Sequence, residues 1–155
     1  MSNAFIGVGS NLGDRHATIA RAIELLCAHP GITYIEESQW REYPALTLDG
    51  TPQPDFVNGV VHIETNLAPH DLIAILKSIE ERMGRPADHE RWQPRTIDMD
   101  ILLYDDRVCT SPTLTIPHPD IVKRIFVLEP LCDIRPDAMH PVLKKSFSTL
   151  LHELS

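Results

Sequence analysis

Cysteine is scarce in this chain. Cys27, Cys109 and Cys132 are far apart and form no C-x-x-C pair, which argues against a disulfide framework and against a structural zinc site. Long apolar runs are missing as well, and nothing approaches the roughly 18 residues of a membrane span. The N-terminal Met1-Ser2-Asn3-Ala4 has no basic segment ahead of a long apolar one. No secretory signal is read, and the cytoplasm is the expected compartment. Basic charge is in deficit: 14 Lys and Arg stand against 22 Asp and Glu, for a net charge of −8. That balance excludes generic nucleic-acid binding. Aromatic residues make up only 6% of the chain, too few for a sheet that stacks RNA bases.

What remains is an ordinary globular composition, 43% hydrophobic and 23% charged over 155 residues. That length fits one domain, read as 1–155, and a chain of this size buries roughly 70% of its unfolded surface. Ala4 to Ser10 reads as a buried strand, and Gly9-Ser10-Asn11-Leu12-Gly13-Asp14 as a turn with Asp14 capping a helix. Ile19, Ala22, Ile23, Leu26 and Cys27 mark one face of that helix. Ile32 to Trp40 is strand-like, and Arg41 to Pro54 reads as a loop. From Phe56 to Glu64, Val57, Val61 and Ile63 face one way, with Phe56, Asn58, Val60 and His62 opposite. Pro69 opens a second helix with Leu72, Ile75, Leu76, Ile79 and Met83 as its stripe, and Gly84 ends it. Ile97 to Tyr104 is another strand. A small hairpin over 107–116, a short helix over 118–124, packing residues Val127, Leu128 and Leu131, and a terminal helix over 146–154 complete the reading. The order β-α-β-β-α-β predicts an α+β, ferredoxin-like antiparallel sheet with helices on one face and extra C-terminal hairpin and helix.

Chemistry concentrates in Arg91-Trp92-Gln93-Pro94-Arg95-Thr96-Ile97-Asp98-Met99-Asp100-Ile101. Asp98 and Asp100 project from one strand face, with Ile97, Met99, Ile101 and Leu103 on the other. Two carboxylates so close repel, and a hard divalent cation relieves this; Mg²⁺ commonly takes one or two carboxylates plus phosphates and waters. An alternative is a solvated strand face with alternating Asp. Arg91 and Arg95 can bind phosphate oxygens through paired N–H donors, and Arg82 and Arg85, just after a helix, are near enough in sequence to join them; Lys77 falls in the same cluster of cations. Trp92 either closes over a ligand or anchors its loop. Phe56 can stack on a planar heterocycle and Asn58 can pair with its polar edge, or both simply cover surface. His118, in Ile116-Pro117-His118-Pro119, is a phosphate or ribose contact or a loop histidine.

With these motifs, and with Asp55-Phe56-Val57-Asn58 and the run from Arg124 to Leu131, the chain resembles the 6-hydroxymethyl-7,8-dihydropterin pyrophosphokinases of folate biosynthesis over nearly its whole length. The resemblance implies an ATP-dependent diphosphotransferase that moves pyrophosphate from ATP to the pterin hydroxymethyl group, leaving AMP. It implies two Mg²⁺ ions on Asp98 and Asp100, with ATP as co-substrate. Arg85 and Arg95 are then catalytic along with the two aspartates. Arg85, Trp92, Ile101, His118 and Arg124 bind ATP, and Trp92 and Arg95 sit on a loop that closes over the substrates. Phe56 and Phe126 sandwich the pterin, Asn58 reads its edge, and Pro44 and Leu46 add contacts from the loop after Arg41. Gly9-Ser10-Asn11 would lie beside the ring. The expected partners are these two small molecules, with no nucleic acid and no membrane, for a protein acting as a monomer. Three positions depart from the family pattern, Asp88, Pro119 and Ile125, as does the loop from Arg41 to Pro54.

Overall fold

A sheet order of β2-β4-β1-β5, antiparallel throughout, places the first strand at the centre of the molecule. The structure, a computed structural model, describes residues 1–11, 13–44, 55–84 and 97–154. The central strand β1 (Ser2–Ser10) lies between β4 (Phe56–Thr65) and β5 (Asp98–Tyr104). Along the far edge of β4 run β2 (Ile32–Glu37) and then β3 (Arg41–Tyr43). The ferredoxin-like order expected from the sequence is therefore the observed one.

Helix α1 (Arg15–Cys27) starts where predicted, because the Asp14 side chain accepts from Ala17 N at 3.1 Å. Helix α2 (Pro69–Gly84) begins on its proline. Ile19, Ala22 and Leu26 of α1 and Leu72, Leu76 and Ile79 of α2 are buried against Ile6, Val8, Val57, Val61 and Met99 of the sheet. Each such Val, Leu, Ile or Met side chain contributes about 1.5–3 kcal/mol by leaving water.

Among the described residues, the opposite face is covered only in part. Helices α3 (Ile125–Ile134) and α4 (Phe147–Leu154) bring Leu128, Leu131, Phe147 and Leu150 onto Phe5, Val60 and Leu102. A short hairpin, β6 (Cys109–Thr110) with β7 (Thr115–Ile116), and a 3-10 turn at Ile121–Lys123 precede α3. The stretch around Val127, Leu128 and Leu131 is thus a helix. Pro130 inside it lacks a backbone N–H and masks the helical signal.

Two further expectations are corrected. Arg41 to Tyr43 is strand and not loop, paired with Phe56 to Asn58 of β4; its charged residues gave no apolar alternation to read. Leu103 does not face α1 and α2 with Ile101. The register shifts between Phe5 and Ile6, so that Phe5 pairs with Leu103 and Ile6 with Ile101. The extra residue on β5 is Leu102, and this bulge turns Leu103 to the second face, beside Phe5.

Candidate active site

The uncovered half of the second face holds a cavity of about 350 Å³. Its floor is central strand β1 at Gly7 and Gly9, where no side chain rises from the sheet. On one flank, Gly9 pairs with Asp98 and Gly7 with Asp100. On the other, Gly9 pairs with Asn58 and Gly7 with Val60. With neighbouring strands about 4.8 Å apart, the strands that carry the carboxylates and Asn58 lie about 10 Å apart on either side of the glycine floor. A Cβ at position 7 would meet the Leu102 side chain at 3.3 Å, and one at position 9 the Asn58 amide oxygen at 2.2 Å. The glycines create the groove.

The walls come from several elements. Phe56 stands on β4, and Phe126 in the first turn of α3, with Pro44 near the rim. Arg124 and Asp120 form an ion pair at 3.2 Å, and the guanidinium lies 5.5 Å from the Phe126 ring centre. His118 follows the cis Ile116–Pro117 peptide, and its N–H donates to Leu102 O at 2.9 Å, which ties this loop to β5. Its Nδ1 accepts from Asp120 N at 3.1 Å. A ring nitrogen that accepts carries no proton, so Nε2 holds it in the neutral imidazole and is a donor.

Asp98 and Asp100 are two residues apart on one strand face, so their Cα atoms are about 7 Å apart. Asp100 is half-exposed and pairs with Lys77 Nζ at 3.3 Å. Lys77 also donates to Met99 O at 3.2 Å and lies 3.4 Å from Glu80. The buried Glu80 in turn accepts from Met99 N at 2.7 Å. An exposed ion pair of this kind is weak, so Lys77 can yield to a stronger cation. The two carboxylates present hard oxygen donors to the cavity, which fits Mg²⁺. Among the described residues no group of three or more His, Cys, Asp or Glu gathers to hold a metal.

Eight of the expected site residues line this single cavity: Pro44, Phe56, Asn58, Asp98, Asp100, His118, Arg124 and Phe126. Ile101 does not; its side chain is buried in the core under α1 and α2. It borders an adjoining cavity of about 260 Å³ that shares Asp100 and His118 with the first and also touches Lys77. Leu46, Arg85, Trp92 and Arg95 lie outside the described residues. Sequence reasoning missed Asp120, whose i, i+4 spacing to Arg124 was a usable signal. It also left Lys77 unassigned, and the meeting of α2 with β5 that brings it to Asp100 is a tertiary fact. Asn11, at the end of the floor strand, is buried, and its amide oxygen has no hydrogen-bond partner among the described residues.

A ferredoxin-like sheet that opens one face as a small cavity, floored by glycine and edged by carboxylates, marks an enzyme of small molecules rather than a polymer-binding module. Residues 5–136 match the family model described as 7,8-dihydro-6-hydroxymethylpterin-pyrophosphokinase (HPPK), and the chain belongs to that family. It is 41% identical over 137 residues to a 2-amino-4-hydroxy-6-hydroxymethyldihydropteridine pyrophosphokinase of Methylorubrum extorquens, covering 88% of this chain and 85% of the relative. The Aquifex aeolicus enzyme of the same name is 37% identical, with 94% of this chain and 88% of the relative covered. Among solved structures, Plasmodium falciparum HPPK-DHPS with pteroate superposes with a TM-score of 0.77 at 16% identity. That comparison shows the fold alone. It covers 98% of this chain, which spans 42% of the longer Plasmodium chain.

Proposed function

We propose that the chain transfers pyrophosphate from ATP to the 6-hydroxymethyl group of 7,8-dihydropterin, as its family does, within the cavity over Gly7 and Gly9. The observation that carries this reading is the opposition of Asp98 and Asp100 to Phe56, Asn58 and Phe126 across one glycine floor. A polyphosphate suits one side and a flat heterocycle the other, at the separation that two strand spacings impose.

In this reading Phe56 and Phe126 hold the pterin ring between them, and the Asn58 amide pairs with its donor and acceptor edge. Pro44 lines the cavity beside them, and Leu46 is a further pterin contact by the family's pattern. Asp98 and Asp100 hold two Mg²⁺ ions, which when bound neutralise phosphate oxygens and lower the charge barrier to attack. His118 through Nε2–H and Arg124 through its guanidinium contact ATP. Ile101 borders the neighbouring cavity, which takes another part of the nucleotide. By the family's pattern, Arg85, Arg95 and Trp92 supply further contacts to ATP.

The pterin hydroxymethyl oxygen attacks the β-phosphorus. The bond from that phosphorus to the oxygen bridging it to the α-phosphate breaks, AMP leaves, and the hydroxyl proton goes to solvent. The chain's own residues contribute position, charge and exclusion of water, which account for most of phosphoryl-transfer catalysis. A binding reader of RNA would want a basic surface, and a net charge of −8 opposes it.

Product analysis tests the proposal. Purified protein with ATP, Mg²⁺ and 6-hydroxymethyl-7,8-dihydropterin should yield AMP and pterin diphosphate in equal amounts, resolved by ³¹P NMR. Formation of ADP with a pterin monophosphate, or no turnover by folded protein, would overturn it.

A further inference from the structure

The two rings of the cavity come from elements far apart in the chain. Phe56 is fixed by the β4 ladder, but Phe126 rides on α3, whose distance from the sheet sets the gap between them. Strand β3 joins the two. Tyr43 sits directly opposite Phe56 in the β3–β4 ladder. Its ring centre is 6.1 Å from that of Phe126 with the planes at 55°, a tilted aromatic pair. The Tyr43 hydroxyl donates to Glu129 Oε1 on α3 at 2.6 Å.

A second point of attachment lies two residues earlier. Arg41 donates through Nη1 and Nη2 to the two oxygens of Asp133, at 2.9 and 2.8 Å, a bidentate pair of the stronger kind. Gln39 N donates to the same carboxylate at 3.1 Å. Residues 41 and 43 share one strand face about 6.7 Å apart, and residues 129 and 133 share one helix face about 6 Å apart. The strand and helix repeats match, so both bonds form together without distortion. Burial of Tyr43 and its bond to Glu129 hold the phenol pKa well above its ordinary value, so it remains a donor at any working pH.

We propose that Tyr43, with Arg41 beside it, is a positioning residue for the flat substrate: the β3–α3 clasp sets the separation of Phe126 from Phe56. The inference rests on the reading that these two rings take the pterin. Tyr43 is only 8% exposed and does not line the cavity, so it acts through Phe126 and not by touching the ligand. The carboxylates on β5, across the glycine floor, do not depend on the clasp, whereas Arg124, which caps α3, moves with it.

The test is Tyr43→Phe, which keeps the ring and removes the hydroxyl. Equilibrium affinities for 6-hydroxymethyl-7,8-dihydropterin and for a non-hydrolysable ATP analogue are measured separately by fluorescence quenching. Loss of one hydrogen bond to a carboxylate should weaken pterin binding about fivefold. Binding of the ATP analogue should change by less than about twofold, and the melting temperature should drop only by the few degrees that one buried hydrogen bond supplies. The pterin KM should rise with kcat held. Tyr43→Phe combined with Glu129→Gln should bind pterin no worse than Tyr43→Phe alone, because the two groups act as one unit. Unchanged pterin affinity in Tyr43→Phe overturns the positioning role while leaving the pterin reading intact. Equal weakening for both ligands overturns it in favour of a purely structural role. A wild-type protein that takes the ATP analogue but no pterin overturns the site reading, and the positioning role with it.

Discussion

The Asn58 side chain lies over the backbone of Gly9, its partner on the neighbouring strand, with the amide oxygen 2.2 Å from where a Cβ would stand. No other residue type at position 9 leaves that amide in place. The glycine thus both opens the floor and sets the orientation of the group assigned to the pterin edge. Gly9→Ala should push the amide aside and weaken pterin binding at least about tenfold, the loss expected when a buried polar pairing is broken. Circular dichroism should show the fold retained. Pterin titration at wild-type affinity would contradict the assignment of Asn58.

Asp98→Asn and Asp100→Asn each keep the shape of the strand and remove a charge. The turnover number should fall at least about a hundredfold in either variant, a modest share of what metal-assisted charge neutralisation supplies. Stability should hold or rise slightly, since like charges no longer face each other and the exposed Lys77–Asp100 pair is worth little. Steady-state assays beside urea melts separate the two effects. Near-wild-type turnover in either variant would remove that residue from the metal set.

Glu80 supports this strand from behind. Its carboxylate accepts from Met99 N, the amide between the two aspartates. Glu80→Ala leaves that buried N–H without its acceptor and should lower stability by about 1–3 kcal/mol. Glu80→Gln keeps an acceptor and should lose less. Urea midpoints at constant m-value check the order.

His140 gives the protein an acid-side slope. Burial holds its pKa below the ordinary histidine value, and its Nδ1 accepts from Val142 N and Leu143 N at 3.2 and 3.1 Å. The unfolded chain therefore binds a proton at higher pH than the folded one. Stability should fall as pH drops below about 6.5, the ordinary histidine pKa, and level off once the folded form is also protonated. His140→Asn retains an acceptor but cannot take up the proton, so its stability should vary less with pH across that window. Parallel profiles for wild type and variant would rule out His140 as the source.

Much of this was legible in the amino-acid order, for reasons that can be named. Val57, Val61 and Ile63 alternate cleanly with Asn58, Val60 and His62, and the structure sends the two sets to opposite faces. The same period brought Asp98 and Asp100 to one face. It failed one turn of the strand later, at Leu103, because the bulge at Leu102 depends on how β5 meets β1 and leaves no local trace. Strand β3 was invisible since Arg41 and Glu42 look like loop until Asp133 and Arg15 supply their partners. Lys77 could be seen as one of several cations but not as the partner of Asp100, which requires the packing of α2 against β5. The cavity itself, a property of Gly7 and Gly9 with no side chain between two occupied strands, exists only once the three strands are in register.

The most direct measurement is a crystal structure of the protein with Mn²⁺, a non-hydrolysable ATP analogue and 6-hydroxymethyl-7,8-dihydropterin, with the metal located by anomalous scattering. The account predicts anomalous Mn²⁺ density liganded by carboxylate oxygens of Asp98 and Asp100, and the pterin ring between Phe56 and Phe126. Metal bound with both carboxylates outside its ligand shell, or a pterin ring seated away from the glycine floor, would contradict it.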